Sequence, residues 1–275
     1  MIDSWGVRRF LLLAYGGAWL VMTPLWLSGF ERADGAEEAG LGAQVSIALM
    51  MLTPALAAIL VLSRDHRPRE LPRLLGMTRP RPGSCVLAFL ATLALSVASL
   101  ALATMAGVYE PDLSGFSVLS FFAVNAAGFV LSLPLFLGEE LGWQGYLLPR
   151  LLPLGYWRAL LLMGAIWGLW HLPTVLLGGQ FPGHPAWLTV PAVLAGGCLI
   201  GVYIGWLRLR TGSVWPTVVA HSVVSDVGPR LTGTLAGRGH VVDPLQTGLL
   251  GWTGWLVLGG FAAALAVSRG ATRPV

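Results

Sequence analysis

Long apolar runs, separated by short polar stretches rich in arginine, glycine and proline, make up most of this chain. A helix needs roughly 17–25 mostly apolar residues to cross a bilayer. Runs of about that length lie at about 10–30, 42–63, 85–107, 118–138, 157–177, 187–207 and 246–268. A shorter run, SVWPTVVAHSVVSDVG at 213–228, makes an eighth. The pattern predicts an all-α integral membrane protein, a bundle of about eight transmembrane helices. The first run follows Arg8 and Arg9, is too long for a signal-peptide core and carries no clear small-residue cleavage site, so it reads as a helix. No internal repeat, low-complexity tract or second domain stands out, and residues 1–275 read as a single polytopic membrane domain. The stretches SRDHRPRELPRLLGMTRPRPGS (63–84) and 228–245 read as loops.

Composition agrees with this. Of 275 residues, 55% are hydrophobic and only 11% charged, against about 25% charged in soluble domains; mean hydropathy is +0.73. All seventeen basic residues are arginine. The pI near 9.6 could suggest nucleic acid, but the arginines sit between apolar runs, as membrane orientation requires. The expected surroundings are therefore a lipid bilayer, with no nucleic-acid partner. With the N-terminus inside, 14 of the 17 arginines fall on the inner side; only Arg32, Arg230 and Arg238 fall outside, and the first outer loop, ERADGAEEAG, is acidic. Positively charged loops stay cytoplasmic, so the expectation is a multi-pass protein of the cell membrane with both termini cytoplasmic. An odd number of spans would scramble this count. Cys85 and Cys198 lie in apolar runs without metal-ligand spacing and read as buried free thiols.

Against this background the ionisable residues within the spans are conspicuous by cost, several kcal/mol each unless something there needs them. They are Glu139, Glu140, His171, His221 and Asp226. At about 1.5 Å per helical residue, Glu139 lies about 16 Å from Arg150, His171 about 20 Å from Arg158, and His221 about 16 Å from Arg210. Three different helices thus bring Glu, His and His to one layer near the middle of a hydrocarbon core about 30 Å thick. A carboxylate in a water-restricted pocket can take a proton from water, and imidazole can orient that water or donate to an oxyanion. The same trio could hold zinc with one open position. Either arrangement hydrolyses by activated water inside a membrane. Blander roles stand beside these: a histidine can simply join helices, Glu140 can be a structural hydrogen-bonding group, and Asp226 suits a solvated or capping role. Trp143, Trp167 and Trp170 suit packing and interface positions. Three independent structural accidents at one depth are a poor account of Glu139, His171 and His221 together.

The segments EELGWQGYLLPRL, WGLWHLP and RTGSVWPTVVAHSVVSD resemble the three signatures of the CPBP family, the CAAX-processing and bacteriocin-processing intramembrane proteases also called Abi proteins. The family pattern is EExxxR, FxxxH and HxxxN or HxxxD on about eight helices. The resemblance covers a motif-bearing core of about 118–228. It implies that Glu139 acts as base, that His171 shares the water with it, that His221 donates to the oxyanion, and that Glu140 supports them. Ser225 stands where the family has Asn or Asp and would supply a hydroxyl donor to the oxyanion; Asp226 follows one place later. Gln144 replaces the arginine of the first motif and Trp167 the phenylalanine of the second. For the metal question, which the family leaves open, the metal-free glutamate mechanism is favoured, with no cofactor and zinc the less favoured option.

The expected activity is therefore an intramembrane endopeptidase of the glutamic type. Its substrates would be membrane-associated peptides or protein tails, entering laterally or from the cytoplasmic side. The lysine-free, arginine- and alanine-rich composition makes prenylated CAAX tails, the substrate of eukaryotic relatives, a poor candidate. A rival reading is a non-catalytic membrane scaffold or immunity protein of the same fold. A proton- or ion-coupled transporter fits less well, because repeats and acids on several helices are missing.

Overall fold

The computed structural model describes residues 4–31 and 40–268. Most of the acidic first connection, together with Arg269 and Arg273, lies outside the described residues. Eight principal helices follow one another: α1 (Ser4–Leu27), α2 (Leu41–Leu62), α3 (Ser84–Met105), α4 (Val118–Glu140), α5 (Tyr156–Trp170), α6 (Ala186–Thr211), α7 (Trp215–Ser222) and α8 (Trp252–Val267). Each predicted apolar run thus becomes helix. Five stretches are long and apolar enough to cross a membrane by themselves: α1, α2, α3, α6, and α4 with its continuation to Leu154. The other three are shorter, so the structure supports a multi-pass helical membrane protein without fixing eight spans.

Many of the bundle's large aliphatic side chains face outward, and several helix contacts inside it are made by alanine and glycine. Leu12, Leu20, Leu119, Val124 and Leu131 are exposed, while Ala14, Ala18, Ala58, Ala88 and Ala103 are buried. Lipid tails are as apolar as leucine, so helices in membranes associate where small residues let backbones approach. The α5–α6 seam is the clearest case. A Cβ on Gly164 would run into the Gly197 carbonyl, and one on Gly201 into Gly164. Polar links reinforce the small-residue contacts: Trp170 Nε1 donates to the Ala14 carbonyl at 3.3 Å, and Thr53 Oγ1 to the same carbonyl at 3.2 Å. These contacts tie α1, α2 and α5 into one unit. The short α7 packs in the middle against α3, α4 and α6.

Two helices change pitch. After Glu140 the chain runs as π-helix over Leu141–Leu147, and after Ser222 it does so again over Val223–Val227 before continuing helical to Leu235. Residues 228–235, read from sequence as loop, are therefore helix: Pro229 at the second position of that helix needs no amide donor there. The 63–84 stretch also contains short helices, Pro68–Glu70 and Leu71–Leu74.

The bundle has two distinct ends. One gathers the connections after α2, α4 and α6, where Val214 N–H donates to the Gly76 carbonyl at 2.9 Å, Thr78 Oγ1 to Gly212 at 2.9 Å and Ser213 Oγ to Thr78 at 2.7 Å. The opposite end gathers the connections after α3, α5 and α7, where Gly237 N–H donates to Glu110 and His184 Nε2 to Asp243 at 2.9 Å.

Candidate active site

Glu139 and Glu140 close α4, where the following π turn begins. Both are buried, as is every residue from Leu141 to Leu148. The π turn fits against neighbouring backbone: a Cβ on Gly142 would overlap Pro54, and one on Gly145 would overlap the Leu75 carbonyl. Single π turns of this kind are common at functional sites.

The two glutamates face different partners. Glu139 Oε2 accepts from Trp167 Nε1 at 2.8 Å, and Glu140 Oε1 lies 2.9 Å from His221 Nδ1. Glu140 Oε2 has no hydrogen-bond partner. His171 Nδ1 lies 3.0 Å from the Trp167 carbonyl. A carbonyl can only accept, so Nδ1 carries the ring proton and Nε2 keeps a lone pair. The Trp167 ring stands edge-on to both histidines, 5.4 Å from His171 and 5.0 Å from His221 between centroids. Phe136 packs on His221 from the other side at 4.7 Å.

These groups meet in a cavity of about 370 Å³, at the small end of the usual range for ligand sites. Glu139, His171, His221 and Ser225 all line it. The structure thus brings together four of the five residues singled out by sequence. The fifth, Glu140, lies one step behind, hydrogen-bonded to His221. Asp226 does not line the cavity; it accepts from Arg230 Nε one helical turn on and from Ser132, an ion pair within the helix in place of the solvated or capping role expected of it. Among the described residues no group of three or more His, Cys, Asp or Glu side chains is placed to hold a metal ion. Both histidines have Nδ1 committed, one to a carbonyl and one to Glu140.

Trp167 was expected only to pack, yet it supplies the donor to Glu139. The available signal was chemical: a buried indole N–H needs an acceptor, and Glu139 was the acid at the same depth. Gln144 shows the converse. It is 2% exposed, its amide nitrogen reaches only Met163 Sδ at 3.6 Å, and its Oε1 has no partner. Arg208 Nε donates to the Gln144 main-chain carbonyl at 3.2 Å.

The fold and site define a multi-pass helical membrane protein with a carboxylate–imidazole cluster held among its helices. Residues 119–225 match the model of a family described as type II CAAX prenyl endopeptidase Rce1-like. That segment runs from the start of α4 to Ser225 and contains all three motifs, so their resemblance to the CAAX protease family is shown there. No curated protein matches the chain.

Proposed function

We propose that the protein is an intramembrane endopeptidase that hydrolyses peptide bonds of membrane-associated polypeptides with water activated by Glu139. The observation that carries this reading is the convergence of Glu139, His171, His221 and Ser225 on one cavity wall, inside a segment that matches a protease family. Glu139 removes a proton from water while the Nε2 lone pair of His171 holds that water. The oxygen adds to the substrate carbonyl carbon. His221 and the Ser225 hydroxyl donate to the resulting oxyanion, and the C–N bond breaks as Glu139 passes its proton to the leaving amine. For His221 to donate from Nε2, the bond at Nδ1 must leave a proton on Nε2. A Glu140 carboxyl donating to Nδ1 does this, and so does an imidazolium bonded to a Glu140 carboxylate.

The test is Glu139→Gln. The amide oxygen still accepts from Trp167, but the base is gone, so turnover of a membrane-anchored reporter should fall by roughly 10²–10⁴, the usual worth of general-base catalysis, with folding intact. The metal-free form of the mechanism further expects activity to survive dialysis against a chelator. Stoichiometric zinc, lost together with activity, would overturn that part. If Glu139→Gln supports full biological function, the protein acts by binding and not by cleavage.

A further inference from the structure

The walls of the cavity are drawn from one side of the bundle. From α2 come Ile47, Met50 and Met51, all in the half of that helix nearer residue 41. From α6 come Val193 and Gly197, in the half nearer residue 186. The remaining wall is built by Thr174, Gly179 and Gln180 after α5, by Pro229 beyond α7, and by Pro244 and Leu250 before α8. Every one of these lies level with Glu139 or toward the end of the bundle that carries the connections after α3, α5 and α7.

The opposite end contributes nothing to the lining: no residue from 52–135, 141–166 or 198–220 faces the cavity. It is closed instead by packed protein. The π turn 141–147 is buried throughout, Leu75 lies on Gly145, and Val214 and Ser213 are fully buried. Three hydrogen bonds pin residues 76–78 to 212–214 across this floor. The Arg208 guanidinium lies so close to Gly76 that a Cβ there would overlap it, and Arg208 also holds the Gln144 carbonyl. This closed end is the one that carries Arg64, Arg67, Arg69, Arg73, Arg79 and Arg81.

We infer that the site is reached from the face opposite the arginine-rich one, so that the substrate is a polypeptide segment presented on the non-cytoplasmic side of the membrane. This rests on the protease reading, and it departs from the cytoplasmic or lateral access that the sequence led us to expect. A cytoplasmic tail would have to displace the 71–78 segment and break its bonds to 212–214. Toward the other face the cavity is lined by Gln180, Pro229 and Pro244, with none of these bonds to break. The cavity wall also restricts the chemistry of that segment. Apart from Glu139 and the two histidines it carries no ionisable side chain, and Ile47, Met50, Met51, Val193 and Leu250 make it apolar. An uncharged, apolar stretch in extended form fits it, such as the membrane-proximal outer part of an anchored protein.

The experiment is thiol accessibility in sealed membranes with a sulfonated, membrane-impermeant maleimide, using full-length protein freed of its own thiols by Cys85→Ala and Cys198→Ala. Arg79→Cys marks the arginine-rich face, Gln180→Cys the mouth of the cavity and Met51→Cys its deeper wall. Gln180→Cys and Met51→Cys should both react from the face opposite to Arg79→Cys, and both should be protected from the Arg79→Cys face. Labelling of Met51→Cys from the same face as Arg79→Cys would overturn the inference. So would reaction of Gln180→Cys with Met51→Cys silent from both sides, since the deep wall would then be out of reach of water. Gln180→Cys, at a half-exposed position, guards against a folding defect of the deeper variant. Labelling needs no turnover and can be repeated with Glu139→Gln. Absence of proteolysis in the parent protein, or proteolysis undiminished in Glu139→Gln, therefore sinks the protease reading alone, and same-face labelling with proteolysis intact sinks the direction of access alone.

Discussion

Glu140 Oε1 and His221 Nδ1 lie 2.9 Å apart, with both side chains only 2% exposed, and join the end of α4 to the end of α7 across 81 residues of sequence. Helices that meet through small residues and one such bond depend on it for register as well as for chemistry. The two duties separate by substitution. Glu140→Ala leaves a buried ring nitrogen without a partner, at a cost of about 1–3 kcal/mol, and should lower the thermal midpoint in detergent. Glu140→Gln can still accept from Nδ1–H, so it should fold normally. The neutral amide can also donate to Nδ1 and leave the proton on Nε2, but it cannot balance an imidazolium, so the Nε2–H of His221 becomes a weaker donor. Turnover should then drop, by no more than the roughly 10²–10³ that one oxyanion donor contributes. Full activity in Glu140→Gln would show that Glu140 is only a structural partner.

The α5–α6 seam predicts a sharp contrast between glycines. A Cβ at Gly164 would meet the Gly197 carbonyl and the Cys198 backbone, whereas one at Gly259 or Gly260 meets open space. Gly164→Ala should therefore destabilise by roughly 1–3 kcal/mol, as overpacking does, and shift Trp167 and His171 with it. Gly259→Ala should leave the thermal midpoint unchanged. Equal midpoints for the two variants would mean that the seam can spread without cost.

Much of this was legible in the sequence because a membrane leaves few options. Apolar runs must become helix, and a glutamate or histidine inside them needs a reason. Depth measured along three helices correctly grouped Glu139, His171 and His221, although it says nothing of rotation about each axis. Rotation is set by how each helix packs on its neighbours, and no periodicity rule signals the π turns that follow Glu140 and Ser222. The role of the 71–78 segment was equally hidden: the arginines and prolines of the 63–84 stretch around it read as loop, while Leu71 and Leu75, which are buried, belong to an apolar run too short to stand out. The helix at 228–235 was masked by the glycines and by Pro229.

Acid should loosen the loop beside the cavity that Asp243 holds. Burial works against the Asp243 carboxylate, but hydrogen bonds from His184, Gln246 and the Leu245 amide outweigh it and hold its pKa below the usual value. A carboxyl whose folded pKa lies below its unfolded one contributes stability in full above the unfolded value, about 3.9. That contribution is lost as pH falls through the folded value. The protection of the Leu245 and Thr247 amides, measured relative to their intrinsic exchange at each pH, should thus be constant above about pH 4–5 and fall only below it. Asp243→Asn should show fast exchange at neutral pH. Protection in Asp243→Asn equal to that of the parent would show that the carboxylate does not hold this loop.

Gln144 offers the last and most specific test, because two orphan oxygens lie within one turn of each other. Glu140 Oε2 and Gln144 Oε1 are both buried without a hydrogen-bond partner, and position 144 is where the family's first motif carries arginine. A guanidinium has five donors and can satisfy carboxylate oxygens two at a time. Met163, the contact of the present amide, is flexible enough to give way. Gln144→Arg should therefore fold, with a thermal midpoint unchanged or raised and turnover unchanged or raised. Gln144→Leu removes one orphan oxygen but brings no donor, so it should match the parent in stability and gain nothing in turnover. Ser225→Asn, on the cavity wall, should likewise hold or improve activity by restoring the family's commoner oxyanion donor. If Gln144→Arg unfolds where Gln144→Leu does not, the space beside Glu140 has closed to charge, and the chain has repacked away from the arrangement its motifs imply.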